Sequence, residues 1–528
     1  MKSRPWQIDR YRRYTSRSAR ELVRLETEMS CAVSYAEWLE NASAHDELSG
    51  AMDWRKRTET RLYDYGSIEA RLKRLRKLKR AGDDRRLLFA LNEGIHGNMG
   101  GMGRPALYRR SLSGTKVLVS DYIDAICDSL DHIASPAADS IPRGERLHFF
   151  QRASHCYGRS ALMLSGGGTL GYFHLGVLRA LIEQDLCPEV ISGASAGAFV
   201  AAILGTRSDA EFLDLFNEGF LADALTANKN KIKLGFFRRE KPDMSAVQED
   251  MQRFIPDMTF MEAYEKTGRA INITISPAEP HQTSRLLNYI ASPNVTILSA
   301  VMASSALPGV FPPVQLRARN DEGEVEDYLP NRRWIDGSLS QDLPAKRLAR
   351  LYGVNHFIVS QVMPGLGRER NTEPGLQRTV SDATVAATKQ MMRGMFDALQ
   401  QRRGVPPTVG SAMNMINGFI DQRFTGDINI FPDYGYGSLG KILRMLNREE
   451  MLELFRAGER ATWPKLPMIE CTTRIGRCLD RILHDFEERE VKWLDSTVPK
   501  AGAGTVRSSG KNDSKRNPRK RRAAGQLG

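Results

Sequence analysis

The chain has 528 residues, of which 41% are hydrophobic and 26% are charged, and its formal net charge is +13. This composition is ordinary for a globular protein and allows two or three domains with a large buried core. The sequence has no run of 18 apolar residues and no secretory signal, so we expect no transmembrane helix and an intracellular, cytoplasmic location. The six cysteines lack metal-ligand spacing, which predicts free thiols and no metal site.

Residues 1–150 are predicted to form a basic, helical N-terminal domain. Ile68, Leu72, Leu75 and Leu78 recur at helical spacing, with basic side chains between them. The pattern favours a helix that buries its apolar stripe in the domain core. The alternative is a helix that lies on an anionic membrane surface.

A glycine-rich turn follows the first predicted strand. Residues 161–164 form a short apolar run, and residues 165–171 lead into residues 172–181, which have helical spacing. Unpaired N–H groups at such a helix start suit either a dinucleotide pyrophosphate or the oxyanion of an ester's tetrahedral intermediate. A dinucleotide site needs an acidic residue after the next strand, whereas Glu189 precedes that strand, so we favour the oxyanion hole.

The next predicted strand ends in a sharp turn that carries a serine. Residues 190–192 have the pattern of a strand, residues 199–204 that of a helix, and Ser195 stands between Gly193 and Gly197. A serine on such a turn projects its hydroxyl out of the bend, and the glycines let strand and helix approach closely. The pattern is typical of the nucleophile elbow of serine hydrolases.

Residues 158–365 alternate apolar strands with helical stretches, which predicts an α/β domain with a mainly parallel sheet. A serine nucleophile needs a base within hydrogen-bond reach, and none of the nine histidines has a clear catalytic setting. We interpret His174 and His356 as packing residues. Asp336, at a predicted strand end, is therefore the candidate base, with an ordinary turn aspartate as the alternative interpretation.

Together these motifs resemble those of the patatin-like phospholipases. The motif positions that carry the resemblance are Gly166, Gly168, Gly171, Gly193, Ser195, Gly197, Asp336 and Gly337. The resemblance implies a patatin-like α/β hydrolase core with a serine–aspartate dyad, in which Ser195 is the nucleophile and Asp336 the general base. It also implies that the backbone amides of Gly167 and Gly168 form the oxyanion hole.

Further stretches resemble one branch of that family, the triacylglycerol lipases of fungi and plants and their bacterial relatives, which carry a helical region before the core. Residues 62–65, 98–103, 284–289 and 426–430 are examples, and the resemblance spans most of residues 54–490. It implies a triacylglycerol lipase of lipid catabolism, with a phospholipase A or lysophospholipase as the alternative. A non-catalytic lipid-binding protein is a second alternative. A lipid ester substrate at a membrane or lipid-droplet surface is expected, without a metal, an organic cofactor or a nucleic-acid partner.

The C-terminal part is predicted to form a helical extension over residues 366–498 and a disordered basic tail over residues 499–528. Between Arg507 and Arg522 the tail has eight basic residues and one acidic residue, among Gly, Ser and Asn. Such a tail either attracts anionic lipid or nucleic acid or merely aids solubility.

Overall fold

Helices flank a central mixed sheet in this computed structural model, which describes residues 16–95, 97–216, 248–249, 251–279, 282–307, 311–337, 343–362, 426–433 and 446–497. The helices before the sheet are α1 (Ser16–Cys31), α2 (Tyr35–Ser49), α3 (Ala51–Lys56), α4 (Tyr65–Arg80), α5 (Asp84–Gly94), α6 (Val117–Ala134) and α7 (Arg143–Tyr157). The later helices are α8 (Tyr172–Ile182), α9 (Ala196–Gly205), α10 (Asp209–Asp214), α11 (Phe260–Thr267), α12 (Ile297–Ser304), α13 (Ala345–Tyr352), α14 (Arg448–Thr462) and α15 (Leu466–Thr497). The strands are β1 (Arg159–Leu164), β2 (Val190–Gly193), β3 (Ala270–Pro277), β4 (Arg285–Leu287), β5 (Leu316–Arg319), β6 (Val325–Tyr328), β7 (Trp334–Asp336), β8 (Val354–Ser360) and β9 (Ile428–Ile430).

The central sheet has the strand order β4-β3-β2-β1-β8-β9, with β7 paired to β3. The pairs β3–β2, β2–β1, β1–β8 and β8–β9 are parallel, whereas β4 and β7 run antiparallel to β3. Every residue of β2 and β3 is buried, because helices cover both faces of a parallel sheet. The predicted α/β class with a mainly parallel sheet is confirmed.

The apolar stripe of α4 packs inside the N-terminal helical region. Ile68, Leu72 and Leu75 are buried, and α4 contacts both α5 and α6. The opposite face carries exposed basic side chains, some of which pair with acids, such as Arg76 with Asp121 at 3.3 Å. The interpretation of a core-facing stripe is therefore confirmed, and only the charged face of α4 is left for solvent or a partner.

The C-terminal region contacts two of the N-terminal helices, α2 and α7. The Trp463 ring lies 6.4 Å from that of Trp38 in α2, and the Tyr157 hydroxyl donates to the Thr472 carbonyl at 2.9 Å. Residues up to Leu483 form one compact unit, and α7 crosses the predicted boundary at residue 150. The domain boundaries remain predictions. The basic tail, residues 499–528, lies outside the described residues, and so do residues 366–425 and 434–445 of the predicted helical extension. None of the described helices is long and apolar enough to span a membrane.

Helices α8 and α14 cross with their backbones in direct contact. A Cβ on Gly176 would overlap the carbonyl oxygen of Phe455, and a Cβ on Gly458 would overlap that of Phe173. Glycine at both positions therefore lets the two helices approach more closely than side chains would permit. Because α8 leads out of the glycine-rich turn, α14 supports the element that carries this turn.

The buried His174 ties the start of α8 to the ends of two strands. Its Nε2 lies 2.9 Å from the Ser165 carbonyl oxygen after β1, and its Nδ1 lies 2.7 Å from Ser360 Oγ at the end of β8. A carbonyl only accepts, so Nε2 carries the proton and Nδ1 accepts from the serine hydroxyl. Burial lowers the pKa of His174 to about 4, although the hydrogen bond to the Ser165 carbonyl raises the pKa in part. The neutral imidazole thus holds the glycine-rich turn at the sheet edge.

We expect Gly458→Ala to lower the free energy of unfolding by about 1–3 kcal/mol, because the added methyl group must push α8 and α14 apart. Gly144→Ala in α7 is the matched control, since nothing lies within 4 Å of its Cβ position. That control should be neutral or stabilising by up to about 1 kcal/mol. Urea unfolding measures both, and equal effects would contradict the close crossing.

The His174 imidazole should make stability fall in acid. Its pKa is near 6.5 in the unfolded chain and about 4 in the folded chain, so the unfolded state binds the proton first. Its contribution is complete above pH 6.5 and declines by about 3 kcal/mol as the pH falls to 4. Urea unfolding of the wild type and His174→Gln between pH 7 and 4 measures this. The stability difference between them should shrink by that amount, and a constant difference would be contrary evidence.

Candidate active site

The turn between β2 and α9 holds Ser195 in a strained backbone conformation. Its φ is +52° and its ψ is −119°, a combination that non-glycine residues rarely adopt and that costs about 1–3 kcal/mol. A Cβ on Gly193 would overlap the Gly197 carbonyl, and a Cβ on Gly197 would overlap the Leu164 carbonyl. The two glycines therefore allow the tight turn, and Ser195 itself is only half-buried. This geometry is that of a nucleophile elbow.

The glycine-rich turn lies against this elbow. A Cβ on Gly171 would come within 3.0 Å of the Ala196 Cβ at the start of α9, and a Cβ on Gly167 would overlap the Val362 side chain. Gly168 has a φ of +56°, which favours glycine. Among the described groups, no backbone acceptor pairs with the N–H of Gly167 or Gly168. Within the described part of the chain, these two amides are therefore available to another acceptor.

The strand register places Asp336 opposite the elbow. Ile275 of β3 pairs with Arg285 of β4 on one side and with Asp336 of β7 on the other, so β7 lies on the side that β2 also occupies. On that side β2 ends at Gly193, opposite Ile273. The carboxyl ends of β2 and β7 thus face each other along β3, two residue steps apart (from Ile273 to Ile275), or roughly 7 Å. Ser195 emerges from the turn at this gap.

Asp336 is held there by backbone contacts and is buried. Its N–H donates to the Ala306 carbonyl at 3.0 Å. A Cβ on Gly337 would overlap the Thr274 carbonyl of β3, so only glycine lets the chain pass this close after Asp336. The structure therefore brings Ser195, Asp336 and the glycine-rich turn to one edge of the sheet. Their catalytic roles stay predictions.

The two histidines interpreted as packing residues both have hydrogen-bond partners. His174 binds Ser165 and Ser360 as described above, and His356 Nδ1 lies 3.2 Å from Ser160 Oγ. Burial lowers the pKa of His356 as well. Within the described residues, no group of three or more His, Cys, Asp or Glu side chains could hold a metal ion.

Ser304, at the end of α12, is a residue of this region that the sequence did not predict. This buried side chain contacts the backbone of the elbow, with Ser304 Oγ 2.9 Å from the Ser195 nitrogen. The local sequence carries no signal for this contact, because serine is common at helix ends and the two residues are 109 positions apart. Residues 308–310 and 338–342, which flank the site in sequence, lie outside the described residues.

Comparisons with known proteins agree with this architecture. A family model described as patatin-like phospholipase matches residues 162–349, and one described as a domain of unknown function (DUF3336) matches residues 13–155. The chain is 32% identical to triacylglycerol lipase ptl3 of Schizosaccharomyces pombe over 84% of this chain and 94% of that protein. It is 31% identical to triacylglycerol lipase 5 of Saccharomyces cerevisiae, over 91% of this chain and 67% of that protein.

Other matches are partial or distant. Triacylglycerol lipase SDP1L of Arabidopsis thaliana is 31% identical over 86% of this chain. The chain spans about half the length of several curated relatives. It covers 57% of SDP1L and 54% of triacylglycerol lipase 4 of Saccharomyces cerevisiae. The crystal structure of VipD from Legionella pneumophila matches with 13% identity and a TM-score of 0.32, over 59% of this chain and 67% of that chain. On the sequence matches, the chain belongs to the patatin-like phospholipase family, with a DUF3336 domain ahead of the patatin-like domain.

Proposed function

We propose that the chain is a serine lipid acyl hydrolase with a Ser195–Asp336 dyad. The observation that carries this proposal is the end-to-end approach of β2 and β7 along one side of β3. It sets a strained serine elbow opposite a buried carboxylate, with the amides of Gly167 and Gly168 nearby. Nucleophile, base and oxyanion donors are the groups that ester cleavage requires.

In the proposed first step, Ser195 Oγ attacks the acyl carbonyl carbon and its proton passes to the Asp336 carboxylate. The carbonyl oxygen becomes an oxyanion that accepts hydrogen bonds from the N–H groups of Gly167 and Gly168. The bond to the alkoxy oxygen then breaks, and that oxygen leaves as an alcohol with the proton from Asp336. An acyl-enzyme remains on Ser195.

In the second step, water gives a proton to Asp336 and attacks the acyl-enzyme carbonyl. The same two amides stabilise the second oxyanion. Ser195 Oγ leaves the acyl carbon and recovers the proton from Asp336, which releases a fatty acid. In each step Asp336 first accepts a proton and then gives it up, so the carboxylate ends the step in its ionised form.

Triacylglycerol is the first candidate substrate, and its hydrolysis would place the protein in lipid catabolism. Support comes from relatives named triacylglycerol lipase that align over most of this chain. The matched family description also names a phospholipase, so phospholipase A or lysophospholipase activity is the second candidate. Purified protein assayed on triacylglycerol, diacylglycerol, phospholipid and lysophospholipid separates them. Release of fatty acid fastest from triacylglycerol supports the first.

A water-insoluble ester requires contact with its surface, so we infer that this protein acts inside the cell and binds a membrane or lipid droplet peripherally. Residues 65–94, which contain α4 and α5, hold nine basic and four acidic residues, a net charge of +5. On the outward face of α5 the Phe89 side chain is 57% exposed, beside exposed Arg85 and Arg86. An exposed aromatic ring among cations suits the interface of an anionic lipid surface.

We expect Ser195→Ala to abolish ester turnover, and Asp336→Asn to lower it about 100- to 10,000-fold, because the serine loses its base. Circular dichroism should stay unchanged in both variants. Asp327→Asn, on the exposed β6 strand where Asp327 pairs with Arg317 at 3.2 Å, is the control and should retain full activity. Wild-type turnover in Asp336→Asn would assign the base elsewhere.

Flotation with vesicles containing anionic lipid tests the surface contact. A protein without residues 499–528 should bind the vesicles more weakly than the full chain but should still bind them. Adding Phe89→Ser and Arg86→Glu to that truncation should weaken vesicle binding at least about tenfold further, because each cation near the surface contributes about 1 kcal/mol. Val33→Ser removes an equally exposed apolar side chain outside this face and should have no effect. Unchanged flotation of the combined variant would exclude the α4–α5 face.

A further inference from the structure

Ser304 bridges the elbow and the central strand with a single hydroxyl. Its Oγ accepts from the Ser195 N–H at 2.9 Å and donates to the Thr274 carbonyl of β3 at 2.8 Å. The side chain is fully buried at the end of α12. The hydroxyl thus accepts one hydrogen bond and donates its only proton, and its burial keeps both bonds away from solvent.

The elbow needs such a tether because Ser195 is strained. Its N–H precedes the first turn of α9 and has no acceptor within that helix. A backbone with a φ of +52° relaxes toward commoner conformations unless neighbouring contacts hold it. The bond from Ser304 fixes the nitrogen of the residue whose oxygen must attack.

The chain segment at the end of α12 also contacts Asp336, on the other side of the gap between β2 and β7. Two residues after Ser304, the Ala306 carbonyl accepts the N–H of Asp336 at 3.0 Å. Ser304 donates to the Thr274 carbonyl, and Gly337 lies so close to the same carbonyl that a Cβ at position 337 would overlap it. The end of α12 thus contacts the backbone on both sides of the space between nucleophile and base.

We propose that Ser304 is a positioning residue that sets the Ser195 hydroxyl against the Asp336 carboxylate. This inference rests on the proposed dyad and adds a third side chain to it. Ser304 does not touch the reacting atoms; it acts through the backbone of Ser195. A displacement of the attacking oxygen by about 1 Å costs roughly 100-fold in rate.

Ser299 offers a matched control in the same helix. It is also buried, and its hydroxyl accepts from the Arg317 N–H at 3.1 Å and from the Thr296 hydroxyl at 2.9 Å. The same hydroxyl lies within donating distance of the Thr296 carbonyl at 3.0 Å and the Arg317 carbonyl at 3.3 Å. It therefore ties α12 to the β5 strand instead of the elbow. Ser304→Ala and Ser299→Ala each remove one buried hydroxyl, and Ser299 has more hydrogen-bond contacts than Ser304, so Ser299→Ala should cost at least as much folding stability.

The experiment measures fluorophosphonate labelling rates and steady-state kinetics on a soluble short-chain ester. We expect Ser304→Ala to slow labelling and kcat by about 10- to 100-fold with KM unchanged, and Ser299→Ala to stay within about threefold of wild type. Ser304→Thr, which keeps the hydroxyl, should recover most of the rate. Where Ser304→Ala fails to fold, Ser304→Cys replaces it and should label as slowly, because a thiol is a weak hydrogen-bond partner.

Wild-type labelling of Ser304→Ala, or equal losses in Ser299→Ala, would overturn the positioning role. Failure of the proposed function is a separate result, in which wild type and Ser195→Ala label alike. Amide hydrogen exchange tests the bond between Ser304 and the Ser195 amide even if the protein is not a serine hydrolase. The Ser195 amide should exchange at least tenfold faster in Ser304→Ala than in wild type or Ser299→Ala, and equal exchange would overturn the inference.

Discussion

The close packing of backbone around Ser195 is the constraint on which the rest of the site depends. A serine with a φ of +52° stores strain, and neighbouring groups must offset it. Gly193 and Gly197 remove the side chains that would collide with the turn, and Ser304 binds the Ser195 amide. The hydroxyl is therefore presented by a rigid frame at a half-buried position, which suits a group that must react without prior rearrangement.

Strand β3 also brings the base close to the elbow, because β2 and β7 both pair with the same side of β3. β2 ends opposite Ile273 and β7 ends opposite Ile275, so the elbow and Asp336 face the same short gap. The neutral His174 imidazole holds the glycine-rich turn at the ends of β1 and β8. Helix α14 then packs on α8 behind that turn, although it lies outside the residues that the two family models match.

The sequence predicts the local parts of the site and misses the contacts that join them. The elbow around Ser195 follows from short-range patterns, since small residues, strand and helix lie within 15 positions. Short-range patterns do not predict the antiparallel pairing of β7 with β3, because it joins residues about 60 positions apart. The same applies to Ser304, and to the crossing of Gly176 with α14, which depends on backbone clearance that no local pattern encodes. The lack of a suitable histidine and the family resemblance predict Asp336 as the base, and the strand register supplies a physical reason for its position.

A crystal structure of the protein after reaction with a fluorophosphonate would test the central claim most directly. The account predicts phosphorus bonded to Ser195 Oγ, and a phosphonyl oxygen about 2.7–3.1 Å from the amides of Gly167 and Gly168. It also predicts the Asp336 carboxylate within hydrogen-bond reach of the Ser195 oxygen. Phosphorus on a different residue, or a phosphonyl oxygen directed away from both amides, would contradict the proposed dyad and its oxyanion hole.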